Sequence, residues 1–262
     1  MQNKYKSIFI SDIHLGTLDC KAELLNNFLK HNVCETLYLV GDIIDGWRIQ
    51  QNKWRWKQSH TNVVRRILGH TKRGTKVIFV AGNHDEFLRL LIPYGIAFGN
   101  VEIVNQYEHI GIDGKHYLVT HGDLFDGITR LAPWLSFLGD KAYDIILNLN
   151  NKFNWARHKF GFGYWSLSVF LKHRVKKAID FIFHFERNLA GYCKKRGFDG
   201  VICGHIHHAE IKEIDGVTYM NDGDWVESCT ALVEHYDGSW EIIKWTKEHK
   251  DVVTNFNGNS YQ

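Results

Sequence analysis

Three short apolar runs in the first third of the chain each stop on a cluster of small and ligand-type residues. They are Ser7 to Ile10 before Ser11-Asp12, Thr36 to Val40 before Gly41-Asp42, and Lys76 to Ala81 before Gly82-Asn83-His84. A run that short, ending so abruptly, reads as a buried strand delivering a loop. Between the runs, Lys21 to Lys30 carries Leu24, Leu25, Phe28 and Leu29, and Gln58 to His70 carries Val63, Val64, Ile67 and Leu68, both at helical spacing. Alternation of strand and helix predicts parallel β-α-β units. Their strands end on one side of a sheet, so residues far apart in sequence converge there.

Later the pattern changes to paired runs around Asp-Gly turns. Tyr107 to Ile112 and Tyr117 to Thr120 flank Asp113-Gly114, Glu210 to Ile214 and Val217 to Met220 flank Asp215-Gly216, and Ala231 to Tyr236 and Trp240 to Trp245 flank Asp237-Gly238. Such dipeptides signal hairpins. Parallel units joined to hairpins predict an α/β sandwich of two mixed β-sheets flanked by helices. From about Leu124 to Arg196 the alternation breaks, and Leu171, Val175, Ala178, Ile182, Phe185 and Leu189 recur at helical steps. This predicts a helical cap over 124–196, inserted into a core formed by 1–123 and 197–246. The polar stretch 247–262 reads as a flexible tail. A length of 262 residues suits one catalytic domain with such an insertion.

Charge argues against a general binder of polyanions. Thirty-two Lys and Arg against 29 Asp and Glu leave a net charge of +3, too small to make nucleic acid the expected partner. Five cysteines, far apart and without a C-x-x-C pair, suggest neither a disulfide framework nor a zinc ribbon, and a reducing cytoplasm fits them. The first apolar run is too short for a signal peptide and reads as a core strand. No apolar stretch approaches the roughly 18 residues of a membrane span.

Five segments supply candidate ligands: Ser11-Asp12-Ile13-His14, Gly41-Asp42-Ile43-Ile44-Asp45, Gly82-Asn83-His84-Asp85, Thr120-His121-Gly122-Asp123 and Gly204-His205-Ile206-His207. Each follows a predicted strand. Asp12 and His14, like His205 and His207, are two apart, a spacing with which an extended strand end turns both side chains one way. The glycines at 41, 82, 122 and 204 stand where the backbone must turn sharply or approach an ion closely. Taken singly, each pair is more often a strand-end turn than a metal site. The ordered set of five is specific. Carboxylate, imidazole and amide donors without thiolate suit Mn, Fe, Co or Zn.

This set resembles the blocks of the calcineurin-like metallophosphoesterase superfamily: D-x-H, GD-x-x-D, GNH[DE], GH and GH-x-H, matched from residue 11 to residue 207. The resemblance implies a four-layer sandwich and a centre of two divalent metal ions, Mn2+ first among them. Asp12, His14, Asp42 and His207 would bind one ion, and Asn83, His121 and His205, with Asp42 shared, the other. Two such cations lower the pKa of a bound water from about 15.7 toward about 7 and clamp the phosphoryl oxygens, which implies attack by metal-bound hydroxide. His84, just outside the metal shell, would stabilise charge or donate a proton, making His84, Asp42 and Asn83 the catalytic group. Asp45, Asp85 and Asp123 read as acceptors that orient the imidazoles. Asn221-Asp222-Gly223-Asp224-Trp225 reads as a tight turn.

In position and helical character the insert resembles the cap of the UDP-2,3-diacylglucosamine pyrophosphohydrolase family, and the likeness extends over nearly the whole chain. His84 stands where the best-known members carry Arg, which marks a divergent branch. The resemblance implies a nucleotide-linked lipid substrate, cleavage to UMP and a lipid sugar phosphate, and peripheral contact with the inner face of the cytoplasmic membrane. Apolar residues between Phe125 and Phe170, Trp134, Phe137, Trp155 and Trp165 among them, would wall an acyl cleft in which each buried CH2 contributes about 0.8 kcal/mol. Cations such as Arg130, Arg157 and Arg174 would attract anionic head groups. Separately, Trp47, Arg48, Trp54, Arg55 and Trp56 combine rings and cations able to grip a base and a phosphate, with the packing of a helix start as the equal alternative. The competing functions are phosphodiester hydrolysis of another lipid or a soluble nucleotide, and a non-catalytic scaffold.

Overall fold

The computed structural model describes residues 2–95, 100–125, 167–246 and 250–256, with the backbone alone at 167–178 and 250–256. The strands are β1 (Asn3–Ile10), β2 (Asn32–Val40), β3 (Lys76–Val80), β4 (Val101–Val104), β5 (Gln106–Ile110), β6 (His116–Thr120), β7 (Gly200–Cys203), β8 (Glu210–Ile214), β9 (Val217–Asn221), β10 (Thr230–Glu234), β11 (Trp240–Trp245) and β12 (Lys250–Phe256). The helices are α1 (Ala22–His31), α2 (Gly46–Gln50), α3 (Gln58–Lys72) and α4 (Leu167–Arg196). One sheet runs β12-β11-β10-β1-β2-β3-β4 and the other β5-β6-β7-β9-β8. β1 to β4 are parallel and β10 to β12 antiparallel, while β6, β7 and β9 are parallel between antiparallel edges. Both sheets are therefore mixed, as the change from βαβ units to hairpins predicts.

The apolar runs are continuous because the strands are covered on both faces. Ile8, Ile10, Leu37, Leu39 and Val77 point to the side where Leu25, Phe28 and Leu29 of α1 and Val63 and Ile67 of α3 pack. The alternate residues Phe9, Tyr38, Val40, Ile78 and Val80 face Tyr117, Val119, Ile202 and Met220 of the second sheet. Phe9 stacks on Tyr38 with centroids 4.4 Å apart. A polar tie crosses this layer: His109 stands 3.0 Å from the Tyr38 hydroxyl and 3.0 Å from Glu234 Oε2. At the opposite end, Asn32 donates to the Phe28 carbonyl at 2.7 Å, closing α1 as β2 begins.

By contact the chain divides into two units, Met1–Phe125 with Asn188–Gln262, and Asp126–Arg187. The expected cap falls largely on residues outside the described ones. Within the described part of α4, Phe185 and Leu189 of the predicted stripe are buried and Phe183 is exposed. The expected frayed tail needs correction, since Lys250–Phe256 form β12 and pair antiparallel with β11, with a shift in register between Ile242 and Ile243. An edge strand pairs on one side only and needs no apolar pattern, which is why Lys-Asp-Val-Val-Thr-Asn-Phe does not announce itself. Among the described residues no helix is long and apolar enough to cross a membrane.

Candidate metal centre

The loops after β1 and β2 are laced together by backbone hydrogen bonds. Asp12 N–H donates to the Gly41 carbonyl at 3.0 Å, Ile13 and His14 donate to Asp42 at 3.0 and 2.9 Å, and Leu15 donates to Ile43 at 2.9 Å. Asp45 N–H returns to the Leu15 carbonyl at 3.0 Å. Within this lattice the ligand residues leave the extended conformation that their two-residue spacing suggests. Asp12, His14 and Asp42 have φ of 48°, 51° and 55°, and His205 and His207 have 71° and 54°. The left-handed region costs a residue with a Cβ about 1–2 kcal/mol, so the surrounding hydrogen bonds and packing must hold it. The paired side chains converge through these kinks and not through strand alternation.

Bare backbone completes the crowding. A Cβ on Gly82 would collide with Asp42 Oδ1, and one on Gly204 would collide with Ser11 Oγ and lie 2.6 Å from Asp12 Oδ2. The two glycines let the carboxylates of Asp42 and Asp12 lie against the chain.

Among the described residues three sets of donors place their ligand atoms within 4.8 Å of one another: Asp12, His14 and His207; Asp12, Asp42 and His121; and His14, Asp45 and His84. His207 Nε2 is 3.0 Å and His14 Nε2 3.7 Å from Asp12 Oδ1. Asp42 Oδ2 is 3.4 Å from His121 Nε2 and 3.9 Å from His14 Nε2, so one carboxylate reaches both clusters. Asn83 Oδ1 and His205 Nδ1 approach His121 Nε2 at 3.2 and 3.3 Å. All seven expected metal ligands thus converge.

His84 stands at the rim. Its Nδ1 is 3.2 Å from Asp45 Oδ2 and its Nε2 3.9 Å from Asp42 Oδ2. Its ring lies against Trp47 at 4.0 Å and meets His14 edge-on at 4.6 Å. Its side chain is 21% exposed, between His121 at 0% and His207 at 25%, so it is open on the side from which a substrate arrives.

Burial disfavours a charged His14, yet pairing with Asp12 and Asp45 and the charge of Asp42 outweigh it and raise its pKa to about 10. Against the same burial, Asp42 and Asp12 raise His121 well above the usual imidazole range, and Asp12 raises His207. Burial would also raise Asp12 and Asp42, but His207 and His14 hold Asp12, and His121 and His14 hold Asp42, below the usual carboxylate range.

The donors fit divalent cations. His121 Nδ1 lies 2.8 Å from the Val40 carbonyl, which only accepts, so Nδ1 carries the hydrogen of the neutral ring. In that neutral form the Nε2 lone pair faces the same way as the Asn83 and Asp42 oxygens, a donor set that fits a cation, while in the absence of metal the raised pKa places a proton at that position. Asp12 Oδ1 likewise is buried and makes no hydrogen bond.

The supporting carboxylates divide differently from expectation. Asp45 does lie against imidazoles, with Oδ2 3.5 Å from His14 Nδ1 and 3.2 Å from His84 Nδ1 but no hydrogen bond to the latter, while its Oδ1 accepts from Arg48 N–H at the start of α2. Asp85 instead accepts from the backbone of Gly82 at 2.6 Å and Ile43 at 2.8 Å, satisfying turn N–H groups that would otherwise be buried unpaired. Asp123 pairs with Arg89 at 2.7 Å, a cation that the ligand pattern does not single out. The segment after β9 is a turn, as expected, with Asp224 Oδ1 accepting from Val226 and Glu227. It is also a brace that sequence reading missed. Asn221 Nδ2 donates to the Gly204 carbonyl at 2.7 Å, Trp225 N–H donates to the Asp12 carbonyl at 3.1 Å, and the Ser11 hydroxyl reaches Asp12 Oδ2 at 2.7 Å and Asp222 Oδ1 at 2.5 Å. Two acidic residues and an Asn around one glycine were its visible signal.

A sequence profile described as calcineurin-like phosphoesterase matches residues 5–209. The chain belongs to the calcineurin-like phosphoesterase family. It is therefore a phosphoesterase hydrolase, and the family together with the converging donors supports a dinuclear divalent-metal site. A UDP-2,3-diacylglucosamine hydrolase of Aliivibrio fischeri is 31% identical to this phosphoesterase over 267 residues, spanning 93% of this chain and 99% of the relative. One from Neisseria gonorrhoeae is 29% identical over 253 residues, spanning 90% and 96%. Among solved structures, the phosphoesterase Yfce of E. coli superposes over 95% of this chain and 97% of its own, with a TM-score of 0.48 at 16% identity.

Proposed function

We propose that this phosphoesterase hydrolyses the diphosphate of a nucleotide-linked acylated sugar, UDP-2,3-diacylglucosamine or a close relative, giving UMP and a lipid sugar phosphate, with two Mn2+ ions. The observation that carries the chemistry is the convergence at His121 Nε2, where the Asn83 and Asp42 oxygens and His205 meet within 3.4 Å. Asp12, His14, Asp42 and His207 would hold one ion, and Asn83, His121, His205 and the shared Asp42 the other. When bound, the pair of ions supplies Lewis acidity toward phosphoryl oxygens and acidifies water.

The chain's own groups do the rest. Asp42, already between both clusters, fixes the spacing of the two sites. Asn83 contributes a neutral oxygen and so leaves more of the positive charge for the phosphoryl group. The Asp45 carboxylate lies 3.2 Å from His84 Nδ1, which leaves Nε2 of the same ring for the substrate side, where it would donate to a phosphoryl or leaving oxygen. Trp47 limits that ring to one orientation.

The lipid half of the substrate is supported by the end-to-end likeness to the Aliivibrio fischeri hydrolase. The acyl-wall and head-group residues expected from 126–178 lie outside the residues whose side chains are described. A lipid-linked substrate would bring the enzyme to the inner face of the cytoplasmic membrane. Incubating Mn-loaded protein with UDP-2,3-diacylglucosamine and following UMP by chromatography tests the reading. Release of UMP is expected, and its absence with both ions loaded refutes it. Equal cleavage of the deacylated sugar nucleotide would favour a soluble-nucleotide phosphodiesterase.

A further inference from the structure

Residues 46–57 hold three tryptophans and four cations without one acidic residue. Among the described residues none of Arg48, Lys53, Arg55 and Lys57 has an ion-pair partner. Like charges so closely spaced repel one another, and an arriving anion relieves the repulsion.

The strip is rooted beside the metal ligands. Arg55 N–H donates at 2.8 Å to the carbonyl of Gly16, which lies two positions beyond His14. Gly16 has φ of 105°, and a Cβ there would collide with the Trp54 indole, so that ring lies on bare backbone. Trp54 and Trp56 meet edge to face at 5.1 Å. Trp56 Nε1 donates to Thr61 Oγ1 at 2.8 Å, and the Trp56 ring stands edge-on to His60 at 5.4 Å. Gly16 N–H donates to His60 Nδ1 at 3.3 Å, closing the circuit. Though pinned, Trp54 and Trp56 remain 39% and 40% exposed, whereas Trp225 and Trp240 are 0% and 3% exposed.

We infer that Trp54 and Trp56, with Arg55 between them in the chain and Arg48 tied through its carbonyl to Lys53 N–H at 2.9 Å, form a nucleotide subsite: the indoles stack the base, and the guanidinium groups take its phosphate toward the metal ligands. Indole faces stack any base, and Arg forks match phosphate oxygens. A pair of rings locked at a fixed angle presents a surface for a flat group, while a membrane anchor relies on apolar side chains free to insert. The inference rests on the nucleotide-linked substrate proposed above.

The test uses the full-length, Mn-loaded protein with UMP and ribose 5-phosphate as paired probes, followed by tryptophan fluorescence and calorimetry. UMP is expected to bind about tenfold or more tightly than ribose 5-phosphate, the scale of one base–aromatic stack. A double variant Trp54→Ala and Trp56→Ala is expected to lose that preference while keeping its metal content and unfolding midpoint, and the corresponding Phe substitutions to keep most of it. Equal affinities in the wild type, or a preference that survives in the Ala variant, overturn the subsite. So does indole fluorescence that responds to phosphatidylglycerol vesicles and not to UMP. If UMP is preferred through the tryptophans but the UDP-lipid is not cleaved, the subsite stands and the lipid substrate falls. If the Ala variant cleaves the UDP-lipid with unchanged KM, the subsite falls and the proposed function stands.

Discussion

Loading the centre with Mn2+ is expected to expel protons from His14, His121 and His207, the imidazoles that face carboxylates. The pKa values of His14, at about 10, His121 and His207 are all raised in the metal-free protein. A raised imidazole is protonated below its folded pKa, whereas a ligand imidazole must be neutral, so affinity should climb with pH and fall as acid is added. For His14 alone, displacing a proton held three pH units above pH 7 costs about 4 kcal/mol, at about 1.4 kcal/mol per unit. Uptake should therefore release at least the His14 proton, and the logarithm of the affinity should rise with pH near neutrality. Stability of the metal-free protein runs the opposite way with pH: the His14 contribution is complete below an unfolded pKa near 6.5 and is lost as pH rises through about 10. Calorimetric titrations of EDTA-treated protein, in two buffers of different ionisation enthalpy between pH 6.5 and 8.5, measure the proton count directly. Heats independent of the buffer, with an affinity flat across that range, would refute the assigned protonation. Asp45→Asn, which removes the partner of His14 Nδ1, should lower both the proton count and the slope.

Three further outcomes test the centre. Asp42→Ala should bind no more than one ion tightly, as read by metal analysis after dialysis, and two retained ions would rule out a shared carboxylate. His84→Ala should keep its metals and lose about 10²- to 10³-fold in kcat, the range for one acid or charge-stabilising donor; unchanged turnover would remove His84 from the catalytic group. Gly82→Ala, whose methyl would press on the Asp42 carboxylate, should fold with a similar circular dichroism spectrum yet bind metal more weakly, and wild-type affinity would show that this contact is not needed.

Much of this enzyme can be read before its structure, for reasons that particular residues make plain. Leu37 to Val40 announce a buried strand because helices cover one face and the second sheet the other, so both alternating positions must be apolar. The Asp-Gly turns at 113, 215 and 237 locate three hairpins because few other pairs relieve the same backbone twist. The ligand set is legible because its residue types and order are chemically restrictive. What escapes is whatever depends on distant pairing. The Ser11 hydroxyl meets Asp222 across 211 positions, and nothing near either residue signals the other. Asp123 resembles an imidazole acceptor until Arg89 is seen beside it. β12 is polar, and only its partner β11 reveals it. The kinks at Asp12 and His14 are hidden because spacing alone cannot distinguish an extended pair from a left-handed one.

Those kinks narrow the alphabet open to anyone who would retune the metal preference. Of residues with a Cβ, Asp, Asn and His tolerate left-handed backbone best. The five kinked candidate ligands are all Asp or His. Exchanges among these three types preserve the loops that aim the donors, whereas Glu or Cys at the same positions would bring in a different donor while straightening the support beneath it. Redesign toward a softer metal therefore has its natural entry points at Asn83 and His121, the candidate ligands outside the left-handed set.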